Sequence, residues 1–293
     1  MDAETLEKYK KAGKIASTAR EFGKEKIKVG VKLLDVCEEV EKKIFELGGT
    51  PAFPAQISLN NIAAHFCPEP NDDITFKQGD IAKLDIGVHV DGYVADTAVT
   101  IDLGDNKALV DASKNALEAA IKIAKPGVKT SEIGKAIHAE ITNLGFSPIR
   151  NLSGHGVGKF MIHGPPSIPN YDTKDNVLLE EDMVIAIEPF ASKGSGMIHE
   201  TENANIFMVV QKKPIRSPIA REVLNEIQKY GGLPFTTRWL TKKFPLLKVR
   251  LALRELLNAE VIRAYSPLPD KGLVSQHEHT IIITKDEPIV ITK

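Results

Sequence analysis

Two short stretches decide the fold: Lys28-Val-Gly-Val-Lys32 and, 97 residues later, Lys125-Pro-Gly-Val-Lys129. Leu47-Gly48 recurs at the same offset as Leu144-Gly145, and residues 28–51 share eight identities over 24 positions with the later copy, without a gap. Stacked repeat proteins need at least three short units, whereas this chain has two long copies. The repeat therefore predicts one domain with internal pseudo-two-fold symmetry.

Each copy has the periodicity of an amphipathic helix that ends at a glycine. A further helix is predicted before each copy, at about 4–26 and 107–124, and strand-like sequence follows each. We therefore predict an α+β fold with halves at about 1–106 and 107–293. The apolar positions that carry the periodicity are Leu33, Val36, Val40, Ile44 and Leu47 in the first copy, and Ile133, Ile137, Ile141 and Leu144 in the second.

The pattern changes after Pro189. Residues 218–230 and 247–261 have the spacing of amphipathic helices, and β-rich sequence returns at 280–284 and 289–292. We therefore predict a helical insertion subdomain at 212–268, within a main domain made of 1–211 and 269–293. The basic residues of the insertion are interleaved with acids, which favours a solvated face over a DNA-reading helix.

The overall composition excludes several classes of partner. Lys and Arg number 38 against 39 Asp and Glu, so the net charge of −1 offers no general attraction to DNA or to anionic lipid. No apolar run approaches the roughly 20 residues that span a bilayer, and the charged N-terminus is unlike a signal peptide. We expect a cytoplasmic protein, a monomer by default, with Cys37 and Cys67 as reduced packing residues.

A hairpin carries the first two candidate metal ligands. Ile81–Val90 and Tyr93–Ile101 are β-rich segments separated by Asp91-Gly92, a strong signal for a two-residue turn. If residue 90 pairs with residue 93, Asp85 and Asp96 lie diagonally on one face, with Cβ atoms roughly 7 Å apart. Two acids on the inner side of apolar strands are costly unless they bind a cation.

Three more potential ligands stand in apolar or glycine-rich surroundings. His155 is flanked by glycines, Glu188 ends the apolar run Ile185-Ala-Ile, and Glu278 precedes the apolar strand Ile281–Ile283. Four carboxylates and one imidazole form an oxygen and nitrogen set whose charge neutralises two divalent cations. The sequence thus predicts a dinuclear site for Co, Mn, Fe or Zn, of the kind that activates a bridging water for hydrolysis.

In the order and spacing of these residues the chain resembles the methionine aminopeptidases of the pita-bread (creatinase/aminopeptidase) fold. The motifs are Asp85 and Asp96 eleven apart, Asn151-Leu-Ser-Gly-His155, Ala186-Ile-Glu-Pro-Phe190 and Glu278-His-Thr. The insertion between Glu188 and Glu278 is similar to that of the longer, type 2 enzymes, and the short N-terminus to that of archaeal members. The resemblance implies removal of the N-terminal methionine from nascent polypeptides, with the ribosome as a further partner.

The resemblance also implies a role for each residue. Asp85 would hold one metal, His155 and Glu188 the other, and Asp96 and Glu278 both. Glu188 would accept or relay the proton of the attacking water, His163 would polarise the scissile carbonyl and His65 would hold the adjacent amide. Residues expected around the methionine side chain are Phe53, His65, Ile162, His163, Phe190 and Tyr265.

One residue departs from the family pattern, and two alternative functions have to be considered. Position 277 is His where the family usually has Phe, and strand alternation points it away from Glu278, which predicts a packing role. A prolidase or another aminopeptidase of the same fold would share the five ligands, although such enzymes usually carry an additional N-terminal domain. A non-catalytic binding protein of this fold is disfavoured, because it would have no use for four converging carboxylates.

Overall fold

The computed structural model describes residues 1–293, in which helices and antiparallel strands alternate along the chain. The helices are α1 (Ala3–Lys26), α2 (Leu33–Glu46), α3 (Lys107–Ile123), α4 (Thr130–Asn143), α5 (Pro218–Ile227), α6 (Thr237–Thr241) and α7 (Leu246–Asn258), with a 3-10 turn at Gln228–Tyr230. The strands are β1 (Thr50–Pro51), β2 (Gln56–Leu59), β3 (Ile81–Val90), β4 (Tyr93–Asp102), β5 (Ser147–Pro148), β6 (Ser153–Gly158), β7 (Met161–Pro169), β8 (Val184–Ile187), β9 (Phe190–Ser192), β10 (Ile206–Val209), β11 (Phe235–Thr236), β12 (Ile262–Tyr265), β13 (Val274–Gln276), β14 (Glu278–Ile282) and β15 (Ile289–Val290).

The sequence repeat is reproduced in the backbone. Helices α2 and α4 begin and end 97 residues apart, and so do strands β1 and β5. Gly48 and Gly145, just beyond these helices, both have a φ of 81°. Glycine adopts this left-handed conformation without the penalty that a Cβ brings. The predicted pseudo-symmetry and both predicted helix ends are confirmed.

A nine-stranded antiparallel sheet joins the two halves. Its main path runs β1-β3-β4-β14-β8-β6-β7, with β2 also pairing with β3 and β15 with β14. Strand β4 of the first half lies beside β14 of the second, which places the boundary between the halves within the sheet. Two smaller sheets, β11-β10-β12 and β13-β9-β5, complete the fold.

Each half covers one face of its strands with its own pair of helices. Val36 and Val40 of α2 share a buried apolar cluster with Leu84 of β3. Ile137 of α4 shares a second cluster with Ile185 of β8. Since successive side chains of a strand point to opposite faces, the residues between these apolar positions face away from the helices.

The central hairpin has the predicted register. Asp91 and Gly92 have φ values of 51° and 90°, as a type I′ turn requires. Val90 pairs with Tyr93, and Asp85 therefore lies opposite Ala98.

Segment 212–268 contains three helices together with two short strands. Its buried cluster joins Val223 of α5 to Val249 and Leu256 of α7, and it continues into Phe207 of β10. The predicted helix at 247–261 is shorter in the structure, because the chain leaves the helix after Asn258. We propose that 212–268 forms an insertion subdomain attached to the main domain 1–211 and 269–293.

A buried ion pair fixes this segment to the first half. Arg238 Nη2 donates to Glu41 Oε1 at 2.7 Å and Arg238 Nη1 donates to Glu41 Oε2 at 3.2 Å. Trp239 Nε1 donates to the same Oε2 at 2.9 Å, and the backbone amide of Ala55 donates to Oε1 at 3.2 Å. The Arg238 and Glu41 side chains are 1% and 5% exposed, so water cannot substitute for either partner.

Two smaller expectations concern the cysteines and the membrane. Cys37 and Cys67 are buried free thiols beside this ion pair, and burial raises the pKa of both. No helix combines the length and apolar character that a membrane crossing requires.

Candidate active site

The hairpin β3–β4 positions the first two carboxylates. Asp85 faces Ala98 across the ladder, so Asp96, two residues before Ala98, projects from the same side. The backbone of Asp96 is fixed by Thr280 of β14, whose Oγ1 accepts from the Asp96 amide and donates to the Asp96 carbonyl, both at 2.8 Å. The two strands that meet at the boundary between the halves are thereby locked together beside the site.

The second half repeats this arrangement of carboxylates. Glu188 follows the start of β8 by four residues, as Asp85 follows the start of β3. Thr97 of β4 pairs with His279 of β14. Asp96 and Glu278 are the residues immediately before this pair, one in each strand. The four carboxylates thus form two pseudo-symmetric pairs around the boundary between the halves.

Glycines explain how His155 enters this cluster. A Cβ at Gly154 would lie 2.3 Å from the carbonyl oxygen of Ala186, and one at Gly156 would lie 2.0 Å from that of Pro165. Only glycine therefore allows β6 to pass between β7 and β8 at this point. His155 Nε2 lies 3.6 Å from Glu188 Oε1 and 3.8 Å from Asp96 Oδ2.

Burial strongly disfavours charge on the carboxylates in the absence of a cation. It raises the pKa of Asp85 to about 7, while a hydrogen bond from Gln276 acts in the opposite direction. Burial also raises the pKa of Asp96, and the nearby Asp85 raises it further. The pKa values of Glu188 and Glu278 lie well above their ordinary range, first through burial and then through the other carboxylates.

The unsatisfied atoms of the cluster fit divalent cations. Asp85 Oδ1 and Asp96 Oδ1 are buried and have no hydrogen-bond partner, which is costly for a carboxylate. Potential ligand atoms of Asp96, His155 and Glu278 all lie within 4.8 Å of one another. The distances from His155 Nε2 to the oxygens of Asp96 and Glu188 are too long for hydrogen bonds. They suit a nitrogen and an oxygen that bind the same ion, each at about 2.0–2.2 Å from it.

The histidines of the site are held neutral. Burial lowers the pKa of His155 to about 3 and that of His65 to about 4, and it also lowers the pKa of His163. A neutral imidazole has a free nitrogen that binds a metal or accepts a hydrogen bond. His65 has a φ of 67°, a conformation that a residue with a side chain adopts only when its surroundings impose it.

All eleven residues predicted for the site line one cavity of about 310 Å³. The ring centroids of His155 and His163 are 4.6 Å apart, and Tyr265 lies 5.4 Å from His65 and 5.9 Å from His163. The structure thus brings together side chains from both halves, including Tyr265 of β12 within segment 212–268. The predicted residues that line the cavity are Phe53, His65, Asp85, Asp96, His155, Ile162, His163, Glu188, Phe190, Tyr265 and Glu278.

Seven further residues line the cavity and were not among the predicted site residues, although several lie in the quoted motifs. Gln276 Nε2 lies 3.4 Å from Glu188 Oε2 and also bonds Asp85, so this amide connects one carboxylate of each half. Its position two residues before Glu278, on the same face of an extended chain, is a signal that could have identified it. Ile206 and Pro234 have no comparable signal in the sequence. The seven residues are Gln56, Ala64, Asn151, Leu152, Ser153, Ile206 and Pro234, whereas Gln276 is outside the lining and contacts it through Glu188.

His277 does not belong to the cavity lining. Its Nδ1 lies 2.9 Å from Ser113 Oγ of α3, on the helix-covered side of the sheet. This placement agrees with the packing role expected from strand alternation.

Comparisons with known proteins agree with this geometry. The sequence matches metallopeptidase family M24 over residues 7–285. It is 51% identical to a methionine aminopeptidase of Archaeoglobus fulgidus over 100% of both chains, and 46% identical to one of Pyrococcus horikoshii over 98% of this chain and 99% of the other. The structure of a methionine aminopeptidase from Thermotoga maritima superimposes with a TM-score of 0.74 at 27% identity, covering 100% of this chain and 98% of the other. The expected pita-bread fold is thereby confirmed.

Proposed function

Since the chain belongs to the methionine aminopeptidases of metallopeptidase family M24, we propose that it removes the N-terminal methionine of nascent polypeptides at a site for two divalent metal ions. That it is a metal-dependent aminopeptidase follows from its family. The archaeal relatives agree with the type 2 class. We further propose that the site holds two metals and a bridging water, and that single residues have the roles given below. The proposed substrates are nascent chains on cytoplasmic ribosomes.

The observation that carries the proposal is a group of four carboxylates beside one neutral imidazole, in which Asp96 and Glu278 are buried and Asp85 and Glu188 are partly buried. We assign Asp85 to one cation, His155 and Glu188 to the other, and Asp96 and Glu278 to both. Two bound divalent cations supply a water of lowered pKa and stabilise the negative charge that develops during hydrolysis. Co, Mn, Fe and Zn all accept this ligand set.

The protein's own contribution to proton transfer is Glu188. Its carboxylate lies beside His155 and receives a hydrogen bond from Gln276, which fixes its orientation. When cations neutralise the cluster, Glu188 is ionised and able to accept a proton. It would accept the proton of the attacking water and pass it to the leaving amine.

We assign to His163 and His65 the orientation of the scissile bond. The His163 ring stands edge-on to His155, 4.6 Å away between centroids, and from there its free nitrogen would bind a carbonyl held next to the cations. His65, whose ring centroid lies 5.4 Å from that of Tyr265, would bind the adjacent amide. Both rings are neutral, so they add no charge to a substrate whose amine is already positive.

The apolar part of the cavity lining suits a methionine side chain. Phe53, Ile162, Phe190 and Tyr265 provide apolar and aromatic surface, and thioethers pack well against such rings. Phe53 is 5% exposed and Phe190 fully buried, so their faces are fixed before substrate binds.

The test measures release of free methionine from Met-Ala-Ser by metal-stripped protein, with and without added Mn²⁺ or Co²⁺. We expect release that requires metal and is abolished in Asp96→Ala. Asp91→Asn is the matched control, because it removes a carboxylate from the same hairpin at an exposed turn.

The alternatives predict different outcomes. Hydrolysis of Xaa-Pro dipeptides without release from Met-Ala-Ser would indicate a prolidase. Peptide binding without hydrolysis under any metal would indicate a binding protein of the same fold.

A further inference from the structure

Arg263 stands at the outer end of a row of three rings, those of His155, His163 and Tyr265, that leads away from the carboxylates. In the β10–β12 ladder, Tyr265 pairs with Ile206 and Arg263 pairs with Met208. Residues two apart on a strand share a face, so Arg263 lies on the same side as Tyr265, one step further from the cavity. Tyr265 and Ile206 line the cavity, whereas Arg263 is exposed to solvent.

The position of the guanidinium follows from three successive contacts. His163 lies 4.6 Å from His155 between ring centroids, Tyr265 lies 5.9 Å from His163, and Arg263 Cζ lies 5.7 Å from the centroid of Tyr265. The last contact is a cation–π interaction, which holds the otherwise flexible side chain against the ring. The row therefore runs from the carboxylate cluster to the protein surface.

The charge of Arg263 is free to act on a ligand. Arg263 takes part in none of the ion pairs of the structure. It lies near the site, because the Tyr265 ring that it contacts also contacts His65 and His163. The cavity itself is lined by four carboxylates and by no Lys or Arg.

A substrate that is bound as proposed must pass this cation. Its first residue fills the cavity, and its scissile bond lies between His163 and His65. Since both histidines contact Tyr265, the methionine side chain would touch the part of this ring inside the cavity, and the chain that follows the scissile bond would leave past its outer part. An extended chain advances about 3.3 Å per residue, so the residues soon after the cleaved bond come within reach of Arg263.

We propose that Arg263 is a specificity-determining residue that favours polypeptides with an acidic side chain among residues 3 to 5. The inference rests on the proposed aminopeptidase function and adds to it a preference for one substrate charge. The interaction is exposed to solvent, so its effect is modest, about two- to fivefold in kcat/KM for a glutamate over a glutamine. Raised salt weakens it, because exposed charges are screened.

The experiment compares C-terminally amidated pentapeptides based on Met-Ala-Ser-Gly-Ser, in which Glu or Gln replaces residue 3, 4 or 5 in turn. The readout is the ratio of kcat/KM for each Glu peptide to that for its Gln partner. Amidation removes the terminal carboxylate, which would otherwise supply a second negative charge. The variants are Arg263→Gln, Arg263→Lys and the control Arg254→Gln, which removes an exposed arginine that lines a different surface pocket.

We expect a ratio above one at one or more positions in the native enzyme, a ratio close to one in Arg263→Gln, and the native ratio in Arg263→Lys and Arg254→Gln. A native ratio of one at all three positions overturns the inference while leaving the aminopeptidase function intact. So does a preference that survives in Arg263→Gln. Absence of methionine release from every peptide overturns the proposed function, and this inference with it.

Discussion

Replacing Glu41 by Gln tests how the segment 212–268 is attached to the rest of the protein. The substitution keeps the size of the side chain but removes the buried charge that pairs with the Arg238 guanidinium, which is 1% exposed, and leaves only the half-exposed Glu38 carboxylate, 4.0 Å away, as a negative neighbour. Loss of one member of a buried pair costs about 3–5 kcal/mol. For 293 residues, an unfolding entropy of about 2.1 cal/mol/K per residue converts this cost into a fall in Tm of about 5–8 °C.

The assay is differential scanning calorimetry together with urea unfolding at neutral pH. Glu222→Gln is the control, because its partner Lys248 is only partly buried and the pair lies on the surface; we expect its Tm to fall by less than about 2 °C. In the double variant Glu41→Leu with Arg238→Leu no charge remains buried, and we expect it to be more stable than Glu41→Leu alone. A Glu41→Gln variant as stable as the native chain, or a double variant with strictly additive losses, would refute the reasoning.

Four further outcomes are expected. His163→Ala should lower kcat/KM by about 10²–10³-fold, the cost of losing one donor to the developing charge, while metal content measured by atomic absorption stays the same. In Gly87→Ala the new Cβ would lie 2.2 Å from the ring of Phe53; the ring must then move, and the KM for methionyl peptides should rise more than kcat falls. Phe190→Ala should lower the preference for methionine over leucine as the first residue, measured as a ratio of kcat/KM, and an unchanged ratio would remove Phe190 from the pocket. In metal-free protein the pKa of Asp85 is raised from its ordinary 3.8 to about 7. The contribution of Asp85 to the free energy of unfolding is therefore complete below about pH 4 and is lost as the pH rises through 7. Chemical denaturation at several pH values should show this fall, and added Mn²⁺ should abolish it.

The parts of the site that the sequence predicts are those that local patterns determine. The turn at Asp91-Gly92 sets the register of one hairpin, and this register alone places Asp85 and Asp96 on one face. The repeat at an offset of 97 locates the second half before any contact is known. His155 stands out because glycines surround it, and the structure shows the close backbone contacts that require them.

What the sequence does not predict depends on contacts between distant segments. Ile206 joins the cavity only because β10 pairs with β12, more than fifty residues later in the chain. The link between Glu41 and Arg238 spans 197 positions, and neither residue belongs to a recognisable motif. Gln276 is intermediate, since its spacing from Glu278 is informative only once the strand is known.

The pseudo-symmetric placement of the carboxylates bears on how such a centre arises in evolution. Two copies of an ancestral half, associated about a two-fold axis, would bring four acids together, whereas one copy alone supplies two. The imidazole has a different history, because the offset of 97 places Ser58 where the second half has His155. Duplication of one half would therefore supply both pairs of carboxylates, and divergence of the two copies after their fusion would supply the single imidazole of the cluster.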